Sequence, residues 1–172
     1  QYMDEVQFRR GENLFVAREY HAAEQAYAKV VNYYPDSLFI EKALYKYGWT
    51  QIKQSRYREA LASYTQLLDL NLAQNKINEI DFNPSLPRAD RELLDDVLRV
   101  VSLSFSYQEE KYYISRYFKE TGERDYEPLL YLKLGELYLD KKRIIDGSDL
   151  FLAYTKQYPY SSHTPFFHQR AI

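Results

Sequence analysis

The 172-residue sequence contains no cysteine and only five glycines and six prolines. The lack of cysteine excludes disulfides, thiolate metal sites and cysteine nucleophiles, although it leaves the cellular compartment open. The few glycines and prolines leave little to break a helix, which favours an all-α fold. No run of about 18 apolar residues occurs, so no segment is predicted to cross a bilayer. A formal charge of −2, from 23 basic and 25 acidic residues, gives no reason to expect nucleic acid or an anionic membrane as a partner.

Motifs for catalysis and cofactor binding are also missing. The sequence has no phosphate-cradling glycine loop, no G-x-S-x-G and no H-E-x-x-H. His163 and His168 are five positions apart, which differs from the i, i+4 spacing that places two metal ligands on one helical face. We therefore predict no catalytic residue, no cofactor and no metal site.

The sequence is rich in aromatic residues, which make up 17% of the chain and include 19 tyrosines. Many of them recur at a fixed distance. The segment "LFVAREYHAAEQAYAKVV", residues 14–31, returns in altered form 37 positions later as "QIKQSRYREALASYTQLL", residues 51–68. The paired positions include Gly11 with Gly48, Tyr20 with Tyr57, Ala23 with Ala60 and Tyr27 with Tyr64. A fixed period of this size is the signature of stacked repeat units.

A third copy lies 124 positions after the first, with Gly135, Phe151 and Pro159 in the places of Gly11, Tyr27 and Pro35. Glycine inside a helix costs about 1 kcal/mol relative to alanine. Because glycine recurs at three equivalent positions in spite of this cost, we predict that two helices cross at each glycine. The small residues predicted on the opposing helices are Ala23, Ala60 and Gly147, and the aromatic residues predicted to fill the space one turn on are Tyr27, Tyr64 and Phe151.

The third copy, "YLKLGELYLDKKRIIDGSDLFLAYTKQYP", places Tyr131, Leu134, Gly135 and Tyr138 in a W-x-x-L-G-x-x-Y type pattern. It resembles the tetratricopeptide repeat, a helix–turn–helix unit of about 34 residues. The resemblance implies one all-α domain over residues 1–172, an α-α superhelix of about four repeats. We predict repeats at 4–37, 41–74 and 128–161, a degenerate repeat at 95–127, an insertion at 75–90, and the start of a further helix at 162–172. Three extra residues, 38–40, lengthen the first period to 37.

The phrases "NYYPDSLFIEKALYKYG" and "KQYPYSSHTPFF" look like repeats of bacterial cell-envelope proteins. These relatives include the periplasmic partner of the Tol–Pal system and the lipoprotein of the outer-membrane β-barrel assembly machinery. The segments "LLDDVLRVVSLSFS" and "YFKETGERDYEPLLYLKLGELYLDKKR" resemble a large multi-repeat family of Gram-negative bacteria. The resemblance implies a periplasmic or cell-envelope scaffold, and we interpret the chain as a fragment flanked by adjacent tetratricopeptide repeats.

In arrays of this family the first helices line a concave groove, and the repeat register predicts which residues face it. The candidates are Phe8, Glu12 and Phe15 in the first repeat, Lys42, Tyr45, Lys46, Trp49 and Lys53 in the second, and Arg99 and Leu103 in the degenerate repeat. The second set suits an extended peptide with apolar side chains and some negative charge, since Trp and Tyr supply contact area and Lys supplies steering. The alternative is that Trp49 simply packs against the neighbouring repeat.

One known binding mode is excluded by the sequence. Chaperone-binding tetratricopeptide domains hold a C-terminal carboxylate with a Lys/Asn set, and Lys42 and Lys46 match only its second half. Phe8 and Glu12 occupy the positions of the first half, where the glutamate would repel a carboxylate.

The leading hypothesis is a non-enzymatic scaffold that binds a protein or peptide partner. Two alternatives stay open: recognition of cell-wall glycan (peptidoglycan) by exposed aromatic rings, and a structural spacer within a longer repeat array. The insertion at 75–90 is either a docking loop or a tolerated surface excursion.

Overall fold

The computed structural model describes residues 2–77, 80, 85–108, 110 and 112–172. These residues form nine α-helices and no β-strand, which confirms the predicted all-α fold. The helices are α1 (Met3–Val16), α2 (Tyr20–Tyr33), α3 (Ile40–Lys53), α4 (Tyr57–Ala73), α5 (Arg88–Ser106), α6 (Tyr113–Thr121), α7 (Glu127–Asp140), α8 (Ile144–Gln157) and α9 (Thr164–Arg170).

The chain divides into two compact units, Gln1–Leu70 and Asn71–Ile172. In the first, α1 packs on α2 and α2 packs on α3. Its core includes the fully buried side chains of Tyr27, Val30, Leu61, Tyr64 and Leu67.

In the second unit α5 packs on α7, α7 on α8, and α8 on α9. Its core includes Val97, Leu98, Phe118, Tyr131, Phe151 and Phe167, all fully buried. The helix α5 begins at Arg88, inside the segment predicted as an insertion, and residues 78, 79 and 81–84 of that segment lie outside the described residues. The helix α9 lies within the segment 162–172.

The three repeated glycines lie where an aromatic ring of the next helix meets the backbone. A Cβ built at Gly11 would lie 2.6 Å from the Tyr27 ring, and one at Gly48 would lie 2.6 Å from the Tyr64 ring. A Cβ at Gly135 would overlap the Phe151 ring in the same way. The predicted helix crossings are therefore present, and the aromatic ring is what excludes a side chain at each glycine.

The turns inside the three helix pairs are also equivalent. Arg18, Ser55 and Lys142, which share one repeat position, have left-handed φ values of 62°, 60° and 59°. In each turn the next residue donates its N–H to the carbonyl five positions earlier, at 2.9, 2.9 and 2.8 Å. This hydrogen bond closes the C-terminus of the first helix of each pair. The repeated sequence thus produces the same local geometry three times.

Candidate functional site

The helix α3 carries four predicted site residues along one side. Lys42, Lys46, Trp49 and Lys53 follow each other at spacings of four, three and four positions, which keeps them in one stripe of an α-helix. Lys42 and Lys53 are exposed, whereas Lys46 and Trp49 are partly buried. Tyr45 lies beside the stripe, where its ring meets that of Trp49 edge to face with centroids 6.4 Å apart.

The helix α1 adds a carboxylate and an aromatic ring next to Lys46. The Lys46 Nζ lies 3.6 Å from Glu12 Oε1 and 4.9 Å from the Phe15 ring centroid. The Tyr27 hydroxyl donates a hydrogen bond of 2.7 Å to the same Glu12 oxygen. Burial raises the pKa of Tyr27, and the Glu12 carboxylate raises it further, so this hydroxyl stays protonated. Lys46 therefore links α3 to α1 through an ion pair and a cation–π contact.

Seven of the ten candidate residues are thus brought together in the first unit. They form what we call the α1–α3 face: Glu12, Phe15, Lys42, Tyr45, Lys46, Trp49 and Lys53.

Trp49 is the largest side chain of this face. It is only partly buried, and the Lys53 Nζ lies 5.7 Å from its ring centroid. A partly exposed indole between a tyrosine and a lysine presents apolar area beside positive charge. This arrangement can receive an apolar side chain and a neighbouring carboxylate from another chain. The prediction that Trp49 contacts a partner stays a prediction.

Phe8 does not belong to this face, and its inclusion in the candidate groove is corrected. Its side chain is 4% exposed, because it stacks on Phe39 with ring centroids 5.0 Å apart and touches Tyr27 at 5.9 Å. Phe39 is one of the three extra residues between the first two repeats. One of the extra residues therefore buries a position that the repeat register alone predicts to face the groove.

Arg99 and Leu103 lie on α5 in the second unit. Arg99 is exposed and forms an ion pair with Asp96, one turn earlier on the same helix. Leu103 is partly buried. Their role in binding stays a prediction.

An ion pair between the buried Glu24 and the partly exposed Arg56 in the first unit was not predicted. Glu24 is 8% exposed and accepts hydrogen bonds from Arg56 Nη2 at 2.7 Å, Arg56 Nη1 at 2.9 Å and Gln54 Nε2 at 2.8 Å. Burial by itself would raise the pKa of Glu24, but these bonds outweigh it and hold the pKa below its ordinary value. The pair joins α2 to the turn after α3. The residues that share the repeat position of Glu24 are Leu61 and Ser148, and neither is a carboxylate, so periodicity gave no signal for the pair.

A second unpredicted carboxylate lines a cavity of about 340 Å³ in the second unit. Glu127 is 2% exposed and accepts a hydrogen bond of 2.5 Å from the Tyr158 hydroxyl and one of 2.7 Å from the Arg124 N–H. Burial raises the pKa of Glu127, and the two hydrogen bonds oppose that effect without cancelling it. The cavity is also lined by Glu123, Asp125, Tyr154, Ser161, Ser162 and His163.

The described parts of the chain hold neither a cluster of metal-ligating side chains nor a membrane-spanning helix. No three His, Asp or Glu side chains in these parts of the chain lie close enough to hold a metal ion. None of the described helices combines the length and apolar character needed to cross a membrane.

The helix pairs, the glycine–aromatic crossings and the recurring turns define an α-helical repeat fold. A family model, the tetratricopeptide repeat, matches residues 5–37 and 42–71. These two segments therefore match tetratricopeptide repeats, and repeats of this kind generally mediate protein–protein interaction. The remainder of the chain lies outside the matched segments, so the repeats at 95–127 and 128–161 stay predictions. No curated protein and no solved structure matches the chain.

Proposed function

We propose that this protein is a non-enzymatic scaffold that binds a segment of a partner protein on the α1–α3 face. The observation that carries the proposal is Trp49, a partly exposed indole that Tyr45 and Lys53 flank. Trp and Tyr are enriched among residues that dominate binding energy, because they bury a large area and lose little side-chain entropy.

The contacts around Lys46 support this proposal. Glu12 and Phe15 hold the Lys46 ammonium against α1, so the floor of the face is fixed before a partner arrives. A surface ordered in advance spends less binding energy on ordering side chains. Lys46 then acts through its position between the helices, whereas Trp49 offers the contact area.

The buried tyrosines argue for a protein partner over a glycan. Tyr27, Tyr64 and Tyr131, three of the repeated aromatic residues, are fully buried and belong to the core. They are unavailable for stacking on sugar rings, and this weakens the support that the high tyrosine content gave to peptidoglycan recognition.

We further propose that the protein works in the periplasm or cell envelope of a Gram-negative bacterium, next to further repeats of the same chain. The envelope location is supported by the resemblance of its repeat endings to those of envelope proteins. Further repeats are supported by Val6, which is 51% exposed, although the equivalent residue of the second repeat, Ala43, is fully buried. A preceding repeat would cover Val6 as the first repeat covers Ala43.

The test is crosslinking capture from a Gram-negative envelope extract with three baits: the unaltered protein, Trp49→Ala and Tyr33→Ala. Tyr33 is the matched control, since it is 75% exposed and lies on α2, away from the face. We expect a protein that the unaltered and Tyr33→Ala baits hold and that Trp49→Ala loses, with circular dichroism unchanged among the baits. Truncation of a central anchor of this kind costs about 2 kcal/mol or more of binding free energy.

Other outcomes would contradict the proposal. Equal capture by all three baits would exclude Trp49 as the anchor. Sedimentation of the protein with purified peptidoglycan, without any protein captured, would favour glycan recognition. Empty captures and no sedimentation would favour the spacer.

A further inference from the structure

The positive charges of the α1–α3 face are not equivalent. The ion pair with Glu12 neutralises Lys46. Lys42 and Lys53 are exposed, and neither forms an ion pair with any residue that the structure describes. The charge that this face offers to a partner therefore comes from its two ends.

The geometry of α3 sets the distance between these ends. Lys42 and Lys53 are eleven positions apart on one continuous helix, and both lie in the same stripe. At 1.5 Å per residue, their Cα atoms are about 16 Å apart along the helix axis. Trp49 lies between them, about 10 Å from Lys42 and about 6 Å from Lys53 along that axis.

We propose, resting on the function proposed above, that the face binds an extended peptide along α3 whose two carboxylates are about six residues apart and flank an aromatic or aliphatic side chain on the same face of the peptide. The side chains of an extended chain alternate between its two faces, so an even spacing keeps both carboxylates on the side of α3. At about 3.3 Å per residue, six residues span about 20 Å, which the two lysine side chains reach from Cα atoms about 16 Å apart. The apolar side chain contacts Trp49 and is nearer to the carboxylate that pairs with Lys53.

The residues of α1 determine along which helix an acidic peptide binds. The residues of α1 that share repeat positions with Lys42 and Lys53 are Glu5 and Val16, so α1 has no cation at either end. The Glu12–Lys46 ion pair leaves the middle of the face without net charge, so the middle does not attract a carboxylate. An acidic peptide therefore binds along α3 rather than along α1, with its charges at the ends. Lys46 is already paired, so the middle of the face is not a site for a terminal carboxylate either.

The test is fluorescence anisotropy with amidated, labelled peptides that have no free terminal carboxylate. The first probe is Gly-Asp-Ser-Ser-Ser-Phe-Ser-Asp-Ser-Gly, which has its carboxylates six residues apart and on the same face as the phenylalanine. The second, Gly-Ser-Asp-Asp-Ser-Phe-Ser-Ser-Ser-Gly, has the same composition with adjacent carboxylates. We expect the first probe to bind about 1.4- to 5-fold more tightly, because it gains one exposed ion pair more than the second probe and such a pair contributes roughly 0.2–1 kcal/mol. Its affinity should fall as salt is added.

The double variant Lys42→Glu/Lys53→Glu should weaken the first probe about tenfold or more, since each change removes an attraction and adds a repulsion. The matched control is Arg10→Glu/Lys29→Glu, which changes the net charge equally at two exposed cations outside the stripe. This control should change the affinity less than about twofold, because charges beyond a Debye length of about 8–10 Å are screened.

Equal binding of both probes, equal effects of the two double variants, or no binding of the first probe would overturn the inference. The proposed function would survive any of these results if capture of the partner still depended on Trp49. Loss of that dependence, with the spacing preference intact, would instead overturn the assignment of Trp49 as the anchor.

Discussion

The substitution Gly48→Ala tests the helix crossing on which each repeat depends. The added Cβ would lie 2.6 Å from Tyr64 Cζ, 2.8 Å from Cε2 and 2.9 Å from Cε1. Non-bonded carbon atoms sit at about 3.5–4.0 Å, so the ring or the helix must move by roughly 1 Å. Tyr64 is fully buried, which leaves the ring no solvent-facing direction in which to move.

Two effects of opposite sign determine how much Gly48→Ala changes the free energy of unfolding. Overpacking a close-packed core costs about 1–3 kcal/mol, and more where no relaxation is available. Replacing a mid-helix glycine by alanine returns about 1 kcal/mol of helix propensity. We therefore expect Gly48→Ala to lower the free energy of unfolding by about 1–2 kcal/mol. For a chain of this size the melting temperature should fall by about 2–8 °C.

The assay is a double-mutant cycle, with thermal and urea unfolding followed by circular dichroism. Tyr64→Leu shortens the side chain that the new methyl group meets, and its other effects appear in both arms of the cycle and cancel. We expect the double variant to be at least about 1 kcal/mol more stable than the sum of the single changes predicts. Gly147→Ala is the graded comparison, because its Cβ would lie 3.1 Å from the partly exposed Leu139 side chain, and its cost should be smaller. A neutral or stabilising Gly48→Ala, or strict additivity in the cycle, would refute the reasoning.

The two unpredicted carboxylates should give opposite pH dependence in urea unfolding. The pKa of Glu24 is lowered in the folded state, so its stabilising effect is present at neutral pH and is lost as the pH falls below about 4.5. We expect Glu24→Gln to cost about 2 kcal/mol at pH 7 and less in acid, and an unchanged cost in acid would contradict the Arg56 pairing. The pKa of Glu127 is raised, so its stabilising effect is present below about pH 4.5 and is lost as the pH rises. Glu127→Gln should therefore gain stability relative to the unaltered protein between pH 4 and 7, and a difference that does not change with pH would contradict this.

The repeat positions of the fold were predictable because periodicity encodes packing. Gly48 and Tyr64 keep a constant distance from their counterparts, since each helix pair buries its apolar face in the same way. The left-handed conformation at Ser55 was not predicted, because arginine, serine and lysine share that position and none of them favours a positive φ as glycine or asparagine does. The backbone conformation there follows from how the two helices pack, whereas the residue type is free to vary.

The candidate site was predictable only in part. The repeat register predicts on which side of a helix a residue lies, but it does not predict which other residues bury that side. The register placed Tyr45, Lys46 and Trp49 on one side of α3, and the contacts among them agree with that placement. It placed Phe8 in the equivalent position on α1, where Phe39 buries it. Phe39 belongs to the residues that break the regular period, and a pattern built from the period says nothing about what such residues touch.

The charge of the site was also predictable only in part, because the repeat register does not predict which charged side chains pair with each other. The register gives Glu12 and Trp49 the same position in successive repeats, so their side chains point to the same side with different chemistry. Only the structure shows that the Glu12 carboxylate reaches across to α3 and neutralises Lys46, at 3.6 Å. From the sequence, the three lysines form one basic patch. In the folded protein Lys46 pairs with Glu12 of α1, whereas Lys42 and Lys53 are exposed at the two ends of α3. That separation converts a general preference for acidic segments into a defined spacing between two carboxylates.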